Sequence, residues 1–144
     1  MNRGFAYLAS PYSIHPRGLD VAAKEAAEVA AWLLKYDIRV FSPVVHFHPI
    51  EKNYGKFTHK KALSLELPYL KAADALIIAP LCDWTRSKGI RFELEAFEEY
   101  NKMPGIVIAN LEERDKEPLF DIFFSKEVSW KDFALEPIPL HAIS

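Results

Sequence analysis

Three short apolar runs in this chain end alike, in a small residue followed by proline: LASP (8–11), VFSP (40–43) and IIAP (77–80). Proline cannot continue a strand's hydrogen-bond ladder, so each motif marks where a strand stops. The runs FAYLAS (5–10), IRVFS (38–42) and DALIIA (74–79) are the strands so ended, and GIVIAN (105–110) is a fourth. Helical segments alternate with them. LDVAAKEAAEVAAWLLKYD (19–37) is rich in Ala, Leu, Glu and Lys, with Val21, Ala22, Val29, Trp32 and Leu33 on its buried side. KALSLELPYLKAA (61–73) reads as a helix that Pro68 should kink or restart near Glu66 or Leu67. SKGIRFELEAFEEY (87–100) is the next helix, and VVHFHPIEKNYGKFTHK (44–60) reads as a long loop.

Strand–helix alternation of this kind predicts a parallel sheet covered on both faces, a doubly wound α/β domain of the Rossmann or flavodoxin type. In such sheets the carboxyl ends of the strands border the ligand crevice, so the three proline motifs should emerge at one functional rim. The 144 residues make one domain. Residues 111–144, with PLFDIFF and SWKDFALEPIPL, are too apolar for a free tail and read as a C-terminal extension: an edge strand and short helix, or an oligomer interface.

Composition narrows the function. Eighteen basic against twenty acidic residues, without a Lys/Arg block, argues against a nucleic-acid partner. No run of about 18 apolar residues predicts a membrane span, and no signal-length apolar run precedes Pro11. Cys82 is the single cysteine, which fits a reducing cytoplasm. The G-x-G-x-x-G, G-x-x-x-x-G-K-[ST] and G-x-S-x-G signatures are absent, which removes the common dinucleotide, P-loop and hydrolase readings.

The most informative residue is Glu93. At 3.6 residues per turn it shares a face with Ile90, Leu94, Phe97 and Tyr100, opposite Arg91, Glu95, Glu98 and Lys102. A carboxylate on the apolar face costs several kcal/mol unless it is paired or hydrogen-bonded. It is either a structural glutamate bonded to Tyr7 or a backbone N–H, or a nucleophile or acid/base near the rim. A carboxylate that attacks an anomeric carbon needs a second acid to assist the leaving group, and Glu66 is the candidate. Tyr7, mid-strand, needs a buried partner, and a bond to Glu93 would favour the charged carboxylate.

Other residues read either way. Ser87 is a plausible N-cap that could also meet a phosphate or sugar oxygen, and Gly89 would let backbone approach a ligand. Ser10, Tyr12, Ser13 and Arg17 follow the first strand and suit a ribose or phosphate, or are turn residues and a surface arginine. His46 and His48 would share one face if extended, as pocket lining or packing. With His15, His59 and Cys82 they form no recognised metal spacing, so neither a metal nor a cofactor is expected. Trp84 could stack on a base or pack in the core.

The segments AYLASPYS, RVFSPVVHFHPI and AADALIIAPLCDWTRSKGIRFELEAF resemble the nucleoside 2-deoxyribosyltransferase-like superfamily over roughly residues 5–110. The most specific part is S-x-G-[IV]-x-[FY]-E-L, carried here by Ser87, Gly89, Ile90, Phe92, Glu93 and Leu94. The resemblance implies that Glu93 attacks the anomeric carbon and Tyr7 positions it. It also implies that Ser87 helps hold a 5′-phosphate, as in the branch that hydrolyses deoxynucleoside 5′-monophosphates. Counting back from Asp74, the acid facing the base is Glu66, where members usually carry Asp. The first loop, SPYSIHPRG, lacks the glycines of the nucleotide hydrolases. The expected activity is hydrolysis or transfer at the N-glycosidic bond of a nucleoside or its 5′-monophosphate, by a homodimer or larger homo-oligomer. A non-catalytic nucleotide-binding module and a structural interaction protein are the alternatives.

Overall fold

The computed structural model describes residues 4–100 and 106–122. Five strands make one sheet: β1 (Ala6–Ala9), β2 (Val40–Phe41), β3 (Ala75–Ile78), β4 (Ile106–Ala109) and β5 (Phe120–Ile122). Their order is β2-β1-β3-β4-β5, with β5 antiparallel to β4 and the other pairs parallel. The helices are α1 (Leu19–Lys35), α2 (Pro43–Tyr54), α3 (His59–Ala72) and α4 (Lys88–Tyr100). This is the expected doubly wound α/β fold, and PLFDIFF does supply an edge strand. The rest of the C-terminal expectation, the short helix or interface within 123–144, lies outside the described residues.

The strand pleat divides the core in two. Ala6, Leu8 and Ile77 pack with Val29, Trp32 and Leu33 of α1 on one face. Tyr7, Ala9, Leu76 and Ile78 pack on the other face with Leu70 of α3 and with Ile90, Leu94 and Phe97 of α4. A one-residue slip of β1 would exchange these faces, so alternation alone aims Tyr7 at α3 and α4. The chain turns from β1 to β2 on one side and crosses back to β3 on the other, which makes β1/β3 the topological switch point.

Three expectations need correction here. Residues 44–60 are not a loop, because α2 occupies Pro43–Tyr54. Ser42 accepts a hydrogen bond from the Val45 N–H at 3.1 Å as N-cap, and Pro43 sits where a helix tolerates proline best. The VFSP motif therefore ends a strand and starts a helix together. Pro68 does not restart α3, which runs unbroken from His59 to Ala72. Pro68 and Ser64 are both exposed, so the carbonyl that loses its N–H partner four residues back can meet water. Tyr100, expected on the buried face of α4, is 40% exposed at the helix end.

Among the described residues, no helix is long and apolar enough to cross a membrane.

Candidate functional site

The floor of the site is one phenol between two carboxyls. Tyr7 is fully buried, and its hydroxyl hydrogen-bonds Glu66 Oε1 at 3.0 Å and also Glu93 Oε2. β1 supplies the phenol, α3 supplies Glu66, and α4 brings in Glu93 beside Ile90, Leu94 and Phe97. Glu93 is 3% exposed. Burial first, and the Glu66 charge second, push its carboxyl well above the ordinary carboxylate range, and the Tyr7 bond opposes this only in part. Burial also raises Glu66, against hydrogen bonds from Tyr7 and Glu93 that lower it. Burial and the two neighbouring carboxylates hold the Tyr7 phenol far above its usual value, so it stays protonated.

The proton count follows from donor inventory. A phenol has one hydrogen and cannot donate to two carboxylates at once. With both glutamates ionised, one lone pair would face another in a buried site. A shared proton removes the conflict: one carboxyl donates to the phenol oxygen, or directly to its neighbour, while the phenol donates to the other. The two glutamates therefore titrate as a pair that retains one proton where isolated glutamates have lost theirs.

Above the floor a cavity of about 780 Å³ opens at the carboxyl ends of the strands. Its walls come from the β1–α1 loop, α2, α3 and the start of α4. Glu66, Glu93, Ser10, Tyr12, Ser13, His48, Ser87 and Gly89 all line it, so eight of the expected site residues converge. Ser87 is the N-cap anticipated for α4, its Oγ accepting from the Ile90 N–H at 3.2 Å. Ser10 Oγ is buried and has no hydrogen-bond partner among the described residues. A Cβ at Gly89 would meet nothing nearer than Ser87 Oγ at 3.7 Å, so the protein's own packing does not require glycine there.

Three expected residues lie elsewhere. Arg17 points to solvent, paired with Glu25 at 3.3 Å. Its loop is instead anchored by buried His15, whose Nδ1 accepts from the Arg17 N–H at 3.1 Å and whose Nε2 meets Glu25. His46 packs against Phe41, Phe47 and Tyr69, away from the cavity. On a helix an i,i+2 pair diverges, so His46 and His48 do not share a face. Trp84 is 7% exposed and belongs to the hydrophobic core, so it is no stacking platform.

Of the α2 wall, sequence reasoning picked out only His48. Val44, Phe47, His48 and Glu51 form an i, i+3, i+4, i+7 stripe, and all four line the cavity. That spacing was the available signal, masked by the prolines and by the mixed polarity of the stripe. His48 Nδ1 lies 2.7 Å from the Tyr12 hydroxyl, and its Nε2 lies 2.7 Å from Asp20 Oδ1. Lys52 Nζ donates to Asp20 Oδ2 at 3.0 Å. The bonds from Lys52 and His48 lower the Asp20 carboxyl, whereas burial and the Glu51 and Asp20 charges push the Tyr12 phenol up to about 12. Arg86 and Lys88, also missed, line the cavity beside Ser87 and give that end positive charge.

Among the described residues no group of three or more His, Cys, Asp or Glu side chains is arranged to hold a metal ion.

A doubly wound domain with a tyrosine-linked carboxyl pair, one buried and one half-buried, at the floor of its switch-point cavity is the class that fold and site define. Residues 4–108 match the model of a family described as a domain of unknown function (DUF1937), and the chain belongs to that family. The matched span includes Tyr7, Glu66, Glu93 and the whole cavity wall. No curated protein matches the sequence significantly.

Proposed function

We propose that the chain is an enzyme of the N-glycosidic bond, hydrolysing a nucleoside or nucleoside 5′-monophosphate or transferring its sugar to a second base. In this reading it is a divergent relative of the nucleoside 2-deoxyribosyltransferase-like superfamily and works as a homodimer or larger homo-oligomer. The observation that carries the reading is the Tyr7 hydroxyl bonded to both Glu93 and Glu66 beneath the cavity. Two oxygens that share one hydrogen-bond partner lie within about two hydrogen-bond lengths, ~6 Å. That spacing favours double displacement through a covalent intermediate over direct attack by water, which needs roughly 6.5–9.5 Å between carboxyls.

The phenol gives the pair two arrangements. In one, Glu93 carries the proton and donates to Tyr7, which donates to Glu66. In the other, Glu66 carries it and Tyr7 donates to ionised Glu93. The second arrangement is the reactive one, and positive charge developing at C1′ favours it. Glu93 attacks C1′, the C1′–N bond breaks with its electrons on the base, and Glu66 gives the base its proton. Glu66 then takes a proton from water, or from an acceptor base, whose lone pair attacks C1′ and releases Glu93. The steps need no cofactor. Ser10, Ser87, Arg86 and Lys88 supply donors and positive charge suited to a 5′-phosphate.

The test is chromatography for free base after incubation with nucleosides and 5′-monophosphates, with and without an acceptor base. Base release by the wild type should fall by roughly four orders of magnitude or more in Glu93→Gln. Release that persists in the variant would remove Glu93 as nucleophile. A second reading, a nucleotide-binding module without turnover, is favoured by the burial that raises the Glu93 carboxyl and so disfavours its nucleophilic form. It predicts ligand binding with no base released by either protein.

A further inference from the structure

The floor chemistry makes no use of the chain of hydrogen bonds on the α2 wall. Ionised Asp20 can only accept, so when the His48 ring carries a single hydrogen, that hydrogen sits on Nε2 and points at Asp20 Oδ1, 2.7 Å away. Nδ1 is then a lone pair, and the Tyr12 hydroxyl, 2.7 Å from it, must donate. Tyr12 spends its only hydrogen there and shows the cavity nothing but lone pairs. Glu51, on the same face of α2, accepts from the Phe57 N–H at 3.0 Å through Oε2, and its other oxygen is likewise an acceptor. Phe47 and Phe57 line this wall too, edge to face with centroids 6.1 Å apart, and give it apolar surface for a flat ring.

We propose that this wall is the base subsite and that Tyr12, held as an acceptor by His48 and Asp20, makes it select a nucleobase carrying an amino group over its oxo counterpart. The inference rests on the nucleotide reading above. Tyr12 acts here as a specificity residue and His48 as the residue that positions its hydrogen. An oxo base would set its carbonyl lone pairs against one of the Tyr12 and Glu51 acceptors while its ring N–H pairs with the other, leaving a desolvated acceptor unpaired.

The experiment is calorimetry at pH 8 on the full chain carrying Glu93→Gln, titrated with adenosine and inosine 5′-monophosphates. Adenosine monophosphate should bind about tenfold or more tightly. Adding Tyr12→Phe should sharply reduce that ratio, and adding His48→Leu, which frees the hydroxyl to donate, should improve inosine monophosphate relative to its partner. A purely structural role would weaken both ligands alike and leave the ratio unmoved. Equal binding of the two with the ratio unchanged overturns the selection while the nucleotide reading stands. Binding of neither, with base still released from other members of the chromatography panel, overturns this inference alone, and binding of neither with no base released from any removes the nucleotide reading as well. Nitrogen NMR of His48 in the ligand-free wild type gives an independent check, because a hydrogen on Nδ1 instead of Nε2 would overturn the acceptor assignment.

Discussion

The site contains two hydrogen-bonded assemblies built on tyrosine, and they behave in opposite ways. On the floor, Tyr7 joins buried Glu93 and half-buried Glu66, and burial dominates: both carboxyls are pushed up. At the rim, Tyr12 joins His48, Asp20 and Lys52, with the Asp20 side chain 65% exposed and its carboxyl pushed down by its partners. Similar side chains thus hold a proton in one place and a solvated charge in the other. Partner type alone does not decide which. On the floor two like groups compete for one donor in a low dielectric, whereas at the rim each acceptor meets its own donor in reach of water.

The pH dependence of stability gives the largest contrast. A carboxyl raised on folding contributes stability that is complete below its unfolded value of 4.5 and is lost as pH climbs toward the folded value. Glu93→Gln cannot titrate, so it should gain on the wild type from pH 4.5 upward, by at most about 1.4 kcal/mol per pH unit. Urea melts at acid and alkaline pH check this, and parallel curves would contradict it. Asp20 has the reverse sign: its contribution is present above its unfolded value of 3.8 and is lost as pH falls through the lowered folded value.

Removing the phenol hydroxyl on the floor comes next. Tyr7→Phe deletes a buried hydrogen bond to a carboxylate and should cost about 1.5–3 kcal/mol at pH 7, read from the urea midpoint. The smallest effect belongs to the rim. Lys52→Ala removes an exposed ion pair and should leave the urea midpoint unchanged, since such pairs contribute little in water. A rim variant as damaging as Tyr7→Phe would erase the distinction between the two assemblies.

Much of the floor was legible in the sequence because its signals are periodic. The apolar stripe of α4 singled out Glu93, the place of Ser87 just before that stripe marked it as a plausible cap, and FAYLAS put Tyr7 in mid-strand. The contact between Tyr7 and Glu66 was not legible, since it depends on which face of β1 α3 crosses. The rim was harder still. Pro43 and Gly55 bracket α2 with loop-like residues, Pro49 falls inside it, and among its residues only Pro43 and Val44 are buried. A helix whose inner stripe lines a cavity carries Phe47, His48 and Glu51 in place of aliphatic side chains, and so lacks the pattern by which buried helices are recognised. Asp20, at the start of α1, reaches His48 only through packing of α1 on α2.

The central claim is that the glutamate pair joined through Tyr7 retains one proton at neutral pH. Infrared difference spectroscopy of the ligand-free protein at pH 7, wild type minus Glu93→Gln, reads it directly. The account predicts the carbonyl stretch of a protonated carboxylic acid in the wild type that is missing from the variant. A wild type whose difference spectrum holds only carboxylate bands would contradict it.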